Sequence, residues 1–576
     1  LPLQLVYMSV IIADRITVTV KQGKLLGQRE ETIFDSRLYF AFYSVPYAEP
    51  PIGKLRFKDP KPVRKWGVTL DTTLEYQGSC AQTHIIYKDK LYGVEDCLYL
   101  NIYTPKIPKT GDTDLLPVIV WIHGYAYSSS FSHIHGPDFF VSNGIILVTI
   151  SHRIGVFGFL KVNESDTNAN MGLKDIVIAL KWIRVNIKQF GGDKKKITLM
   201  GNSSGASFIS LLMMTEARKL FSKIILQSGS IFSPSIFQSN HESERNRLLQ
   251  ELKRRRLKLS KSPTIDILTA AHSIYIRNNK EMENLQRPIV PFTPIVEKNL
   301  NTSLLIQTPY DFYGTIKQNN IQFNKPILLG YNTQESISEV IPFIHNPYHL
   351  KTFLNSFKFL VPFSDGCSYN SSSKIYKEIS TIIKDKYFKE SETGKSLDSF
   401  LKYASDLLIF PMIKFVKTHL SVSNSKIFMY KFDYRGKLNA VTTSSMVEDK
   451  VKVRGAASGD EICYLLRCEP FAEVYAQMKK EEEDKDKTFI REISSLWTNF
   501  AKYGDPTPNN HNSNFTWLPV NSKLNNVLLL RKNFKLISSR SENAMYDFWN
   551  RLYETYYKKE KCEPRHDELF PLKLIK

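Results

Sequence analysis

Apolar runs of two kinds alternate through the first half of the chain. Residues 118–122 (Val-Ile-Val-Trp-Ile) and 145–150 (Ile-Ile-Leu-Val-Thr-Ile) are continuous and rich in β-branched side chains, the pattern of strands covered on both faces. Over 173–190 the apolar positions Ile176, Ile178, Ala179, Trp182, Ile183 and Ile187 recur at helical spacing, and Gly191-Gly192 ends the run. A strand over 197–200, a helix over 207–214 and a strand over 223–226 continue the series. Ahead of it, Ile16, Val18 and Val20 alternate with Thr17, Thr19 and Lys21 before Gln22-Gly23-Lys24, which predicts a hairpin over 15–28. Strands are expected again at 326–329, 426–432 and 527–530, and a terminal helix at 544–556. The stretches 231–325 and 345–425 read as helical excursions roofing one end of the sheet. This βαβ alternation predicts an α/β fold with an open, mostly parallel sheet.

One strand breaks in an unusual way. Residues 197–206 read Ile-Thr-Leu-Met-Gly-Asn-Ser-Ser-Gly-Ala, a β-like run that becomes Gly-x-Ser-x-Gly and continues as a helical pattern. A serine on a tight strand-to-helix turn needs glycines two before and two after, because a Cβ at Gly201 or Gly205 would meet neighbouring backbone. Ser203 is therefore a candidate nucleophile.

With 576 residues, 42% of them hydrophobic, the chain can bury a large core, and no break in composition marks a boundary. Residues 14–557 are expected to form one domain, followed by a charged tail over 558–576. Residues 1–13 are apolar and end on a small residue, reading as the core of an export signal, with a buried first strand as the alternative. No other run approaches the ~18 apolar residues of a membrane span, so no transmembrane span is expected.

Cys80 and Cys97 flank a short polar loop that a disulfide could close, whereas spacing pairs none of Cys367, Cys463, Cys468 and Cys562. Glycosylation sequons occur at Asn163, Asn301, Asn370 and Asn514. Together these features favour a secreted protein. Asn202-Ser-Ser matches the same short pattern, but a tight elbow cannot present a glycan. The internal His566-Asp567-Glu568-Leu569 is followed by seven residues and is not expected to act as a retention signal.

The net charge of +21 favours anionic partners. Its densest cluster, Lys253-Arg254-Arg255-Arg256-Leu257-Lys258, is expected on a surface helix, either as a solvated face or as a site for a polyanion. Aromatic residues of the kind that stack bases are not interleaved there, which sets nucleic acid aside. Residues 479–487 (KKEEEDKDK) read as an exposed helix or loop.

Ordered motifs over nearly the whole chain resemble the type-B carboxylesterases, the cholinesterase-like branch of the α/β-hydrolases. They are Tyr43-Ser-Val-Pro-Tyr-Ala-Glu-Pro-Pro-Ile-Gly53 with Arg56-Phe57, Glu95-Asp-Cys-Leu-Tyr-Leu-Asn101, Phe190-Gly-Gly-Asp193, the elbow, and Gln227-Ser-Gly-Ser230. The resemblance implies a disulfide between Cys80 and Cys97, no cofactor and no metal, and a serine acyl-enzyme mechanism on ester substrates. Gly330-Tyr-Asn-Thr-Gln-Glu335 matches the segment carrying the family's triad acid, which makes Glu335 the counterpart, and the order Ser then Glu calls for a later histidine.

Where the family places that histidine, this chain reads Gly455-Ala-Ala-Ser458-Gly-Asp-Glu461: serine stands in its position. A serine hydroxyl is a poor nucleophile at neutral pH until a base takes its proton, and Ser458 cannot hold a proton as a cation. In a comparable triad, losing the histidine lowers turnover by about 10⁶. The oxyanion-hole turn departs as well, since His123-Gly124-Tyr125-Ala126 puts a side chain where the family has glycine. The backbone N–H groups of Tyr125, Ala126 and Ser204 are the candidate donors, and one lost donor raises the barrier by about 3 to 4 kcal/mol. The elbow carries Asn202 where many relatives have glutamate, and Ser151-His152-Arg153 replaces Asn-Tyr-Arg. His152 is therefore a conceivable substitute base, although a structural role is the expectation. The segment between Cys80 and Cys97 has no Trp to face a quaternary ammonium, which disfavours the choline-specific subgroup.

The expected function is that of a secreted, esterase-derived protein with impaired hydrolysis, retained for binding an unknown protein or an anionic glycan. The competing expectation is an active carboxylic ester hydrolase acting on a small ester with a base from elsewhere in the chain. A third is single-turnover trapping of reactive esters by Ser203.

Overall fold

The computed structural model describes residues 15–558 except 75–77, 84–90, 125–133, 164–168, 234–235, 239–240, 275–289, 298–301, 320–323, 338–360, 363–366, 368, 370–371, 390–395, 443–453 and 510–514. The leader expected over 1–13 and all but the first residue of the tail from 558 lie outside the described residues, as does the 566–569 motif.

A single mixed sheet organises the chain. Its strands are β1 (Arg15–Val20), β2 (Gly23–Glu31), β3 (Leu38–Pro46), β4 (Tyr99–Thr104), β5 (Leu116–Ile122), β6 (Ile146–Ile150), β7 (Gly192–Asn202), β8 (Lys223–Gln227), β9 (Ile327–Asn332), β10 (Ile427–Phe432), β11 (Val527–Leu530) and β12 (Lys535–Ile537). They lie in the order β1-β2-β3-β4-β6-β5-β7-β8-β9-β10-β11-β12, with the short strand Thr69–Asp71 beside β2. From β6 through β11 every pairing is parallel, while β1 to β4 and the last strand pair antiparallel. This is the α/β-hydrolase arrangement. The hairpin forms as its alternation predicts, with Val20 opposite Gly23 across the turn.

The continuous apolar runs are explained by the faces they cover. Val118, Val120 and Ile122 enter one core while Ile119 and Trp121 enter the other, and Ile427 and Met429 part from Phe428, Tyr430 and Phe432 in the same way. Most positions of the central strands are therefore apolar.

The longer helices among the described residues are α1 (Met171–Asn186), α2 (Ser204–Leu212), α3 (Glu242–Arg254), α4 (Thr264–Ser273), α5 (Pro309–Asn319), α6 (Lys374–Tyr387), α7 (Ser396–Leu420), α8 (Ala472–Lys480), α9 (Lys485–Tyr503) and α10 (Arg540–Tyr556). Ile176, Ala179 and Ile183 of α1, Ile209 and Leu212 of α2, and Trp549 of α10 join the first core, whereas Ile493, Trp497 and Phe500 of α9 join the second. The two long insertions contribute α3 to α7, as expected of helical excursions. Among the described residues, no helix is long and apolar enough to cross a membrane.

Disulfides join Cys80 to Cys97 and Cys463 to Cys468, with Cα atoms 5.0 and 5.3 Å apart. Cys367 is also disulfide-bonded. The second pair was not deducible from a spacing of five, because a loop that short closes only when the backbone between folds back, here through the helical turn at Ile462–Tyr464.

Two charged stretches are placed otherwise than expected. The basic run leaves its helix early: α3 ends at Arg254, and Arg255 to Lys258 lie beyond it. The 479–487 stretch is not a uniformly exposed segment, since Asp484, Asp486 and Lys487 are buried. Asp484 caps α9 by accepting from the N–H groups of Asp486 and Lys487, and Asp486 accepts from Tyr434 Oη. Charges of both signs look solvated in a sequence, whereas here a cap and a buried hydroxyl satisfy them.

Candidate active site

The turn between β7 and α2 holds Ser203 at φ 50° and ψ −119°, a conformation that L-residues rarely adopt. Surrounding contacts keep it there. Ser203 N–H donates to Gln227 O at 2.8 Å, and Ser203 O accepts from Ser207 N–H at 3.1 Å. A Cβ on Gly201 would lie 2.7 Å from Gly205 C and 2.8 Å from Ile122 O, and one on Gly205 would strike Ile122 O. Both glycines are thus required by the close crossing of α2 over the end of β5. The side chain of Ser203 remains half-buried. Ser204 opens α2 and is buried.

Ser203 follows β7, while Gln227 and Asn332 end β8 and β9, so three consecutive parallel strands gather the remaining groups at their C-terminal ends. Glu335 sits three residues past β9 and is 1% exposed. Its Oε1 accepts from Asn332 N–H at 2.6 Å and from Ser228 Oγ at 2.7 Å, and the nearby Ser458 hydroxyl favours the ionised carboxyl. Ser458 N–H reaches Glu335 O at 3.4 Å, so the backbone holds residue 458 beside this glutamate, with its hydroxyl near the carboxyl. Gln227 and Ser228 complete the link, one bonding the Ser203 amide and the other the Glu335 carboxyl.

A second buried carboxyl lies alongside. Glu461 accepts from Asn332 Nδ2 at 2.9 Å, Gln227 Nε2 at 3.2 Å and Tyr430 Oη at 3.2 Å. Burial pushes Glu335 up to about 8; the Asn332 amide opposes the shift and the Glu461 charge adds to it. Burial raises Glu461 as well. Burial therefore favours the protonated form of the Glu335 carboxyl.

That shift has a sign in stability. A group that binds its proton more tightly when folded stabilises the fold fully below its unfolded value of 4.5. This contribution is lost as pH rises from there through about 8. Glu335→Gln is expected to flatten the fall in urea midpoint between pH 5 and 9, a difference on the order of a few kcal/mol. Parallel parent and variant profiles would show that the carboxyl is not held protonated.

His152 follows β6 and is fully buried. Its Nδ1 lies 3.2 Å from Arg153 O, its ring stacks on His123 at 4.9 Å, and its edge meets Phe208 of α2. Burial holds its pKa below the ordinary imidazole value. The ring supports the elbow helix. Among the described residues, no imidazole hydrogen-bonds Ser203 Oγ. Arg153 forms a buried ion pair with Asp175 of α1, with Nη2 to Oδ1 at 2.7 Å and Nε to Oδ2 at 2.9 Å, while its Nη1 donates to Lys58 O at 2.8 Å.

Tyr125 and Ala126 lie outside the described residues. Gly124 just before them is packed against the elbow, where an added Cβ would come within 2.6 Å of Asn202 O. Asn163 is exposed; Asn301, Asn370 and Asn514 lie outside the described residues. Asn202 is buried, as the elbow demands.

Sequence reasoning missed the roles of Ser228, Asn332 and Glu461 around Glu335. Ser228 stood inside a quoted motif and Glu461 ended another, but neither spacing says that their side chains converge on one carboxyl.

A profile of the carboxylesterase family matches residues 14–549. The chain is 29% identical over 542 residues to a juvenile hormone esterase of Tribolium castaneum, covering 88% of this chain and 86% of that protein. To esterase E4 of Myzus persicae it is 29% identical, with 88% and 89% covered, and to acetylcholinesterase-1 of Trittame loki 28%, with 93% and 94% covered. The crystal structure of juvenile hormone esterase from Manduca sexta, with OTFP covalently attached, superimposes with a TM-score of 0.76 at 26% identity, covering 94% of this chain and all of that one. With the elbow serine, the strand-end glutamate and this match along its length, the chain belongs to the carboxylesterase family.

Proposed function

We propose that this protein is a carboxylesterase-family member whose hydrolytic turnover is disabled and whose site serves recognition. In this reading Ser203 is the retained nucleophile and Glu335 the retained acid, with Ser458 in place of the base. One observation carries it: the residue that packs beside Glu335, with its N–H 3.4 Å from Glu335 O, is Ser458, whose hydroxyl cannot take the Ser203 proton and return it to a leaving alcohol. The raised pKa of Glu335 supports the same reading, because a protonated carboxyl has no charge with which to stabilise an imidazolium. The backbone amides of Tyr125, Ala126 and Ser204 would still offer donors to a bound ester carbonyl, with Tyr125 restricting its approach.

The disulfides support a secreted protein, since such bonds persist in oxidising compartments, and the exposed Asn163 is an accessible glycan acceptor there. Residues 14–557 act as one domain in this reading.

The competing reading, an active carboxylic ester hydrolase, is favoured by relatives named as esterases. Hydrolysis of p-nitrophenyl acetate by the purified chain and by Ser203→Ala decides between them. Both are expected to stay within about twofold of each other at background rate. Brisk turnover by the parent that Ser203→Ala abolishes would overturn the proposal and require a base elsewhere.

A further inference from the structure

The basic run at the end of α3 is built unlike an ordinary solvated helix face. Six cations, Lys253, Arg254, Arg255, Arg256, Lys258 and Lys261, fall within nine residues that contain no acid. Glu251 engages both Arg254 and Arg255. The side chains of Lys253, Arg256, Lys258 and Lys261 are exposed and make no hydrogen bond or ion pair with any described residue. Favourable placement of cations at a helix C-terminus accounts for Lys253 and Arg254 but not for the charges beyond the helix.

The loop that carries those charges is held rigid from beneath. Arg56, 13% exposed, donates from Nη1 to Leu259 O at 3.0 Å and to Ser262 O at 2.9 Å, while its Nε reaches Glu95 Oε2 at 2.7 Å. Glu95 also accepts from Thr264 Oγ1, which fastens the start of α4. Ser262 closes the loop on itself by accepting from Lys258 N–H and donating its own N–H to Lys258 O. Leu257 and Leu259 pack against the core, so the loop directs charge outward and its apolar side chains inward.

Arg256 occupies the helix-terminating position at φ 58°, with Leu257 N–H donating to Leu252 O at 2.8 Å across the turn. Glycine is the default there because it carries no Cβ. An exposed arginine in its place keeps a strained backbone for the sake of one more outward charge.

We infer that the 253–261 loop is a docking surface for a linear sulfated polysaccharide. A run of exposed Lys and Arg on a braced backbone attracts a repeating polyanion and leaves only the side chains to be ordered on binding. The run has no aromatic residue to stack bases. With Leu257 and Leu259 turned inward, the loop has no apolar side chain of its own to enter a bilayer. Disulfides place the fold where extracellular polyanions occur.

Immobilised heparin is the probe. Replacing Lys253, Arg256, Lys258 and Lys261 together by Gln is expected to lower affinity at least tenfold at low salt. Replacing the exposed Lys194, Lys195, Lys479 and Lys480 by Gln removes the same net charge and is expected to change it less than twofold. Equal losses would overturn the inference and assign the attraction to overall charge. So would a loop variant that keeps its heparin affinity while losing binding to vesicles containing phosphatidylserine. Arg256→Gly guards against misfolding: it is expected to keep or raise the thermal midpoint while lowering heparin affinity about twofold, and unchanged affinity would count against the loop.

Discussion

Ser458→His is expected to convert a chain with background esterase activity into one that hydrolyses p-nitrophenyl acetate at least ~10³-fold faster. The backbone of residue 458 already bonds the Glu335 main chain and its side chain lies near that carboxyl, so an imidazole there starts beside the proposed orienting acid. Its positive charge during proton transfer would favour ionised Glu335 and draw that carboxyl down from about 8. Loss of a triad histidine elsewhere lowers turnover by about 10⁶. The gain is set below that full range because, in the proposed reading, Tyr125 replaces a glycine of the oxyanion turn, where one lost donor accounts for about 10²–10³. Each factor of ten corresponds to about 1.4 kcal/mol of barrier. Adding Glu335→Gln to the variant should remove most of the gain, and adding Ser203→Ala should remove all of it. An Ser458→His variant that folds and stays at background would show that the defect lies beyond the missing base.

Asp175→Ala is expected to destabilise the fold by about 3–5 kcal/mol, among the largest effects of any single change. The carboxylate is fully buried and holds the Arg153 guanidinium, which is 4% exposed, by two side-chain bonds while accepting from the Arg153 backbone N–H at 3.0 Å. Removing it leaves a cation in the core with only Lys58 O as partner among the described residues. Because Arg153 O also receives His152 Nδ1, the loop after β6 and the ring against α2 should loosen together. The urea midpoint measures the loss. The double variant Arg153→Met, Asp175→Leu should be less damaged than the single one, since it leaves no unpaired charge. A single variant with the parent's midpoint would mean that the pair contributes nothing net.

Much of the architecture was legible because its causes are local. Strands 118–122 and 145–150 were readable from unbroken β-branched runs, α1 from its helical spacing, and the elbow from two glycines that the crossing of α2 over β5 makes obligatory. Residues 479–487 were misread because sign alternation says nothing of burial: Asp484 is a cap and Asp486 a hydroxyl acceptor only once α9 packs on the sheet. The basic run was misplaced by a turn because Arg256 ends α3 in a conformation normally reserved for glycine. Sequence could not anticipate that.

By itself, the sequence determined that this chain folds as an α/β-hydrolase, that it offers Ser203 on a strained turn, and that residue 458 lacks an imidazole. Those follow from side-chain volume, backbone freedom and functional-group chemistry within short windows. The tertiary structure alone decided that Ser228, Asn332, Ser458 and Glu461 gather around one buried carboxyl, and that Cys463 closes on Cys468. It also decided that the partly buried Arg56 braces the basic loop. Convergence from distant segments depends on how layers pack, and a carboxyl holds its proton at neutral pH only after packing has taken water away from it.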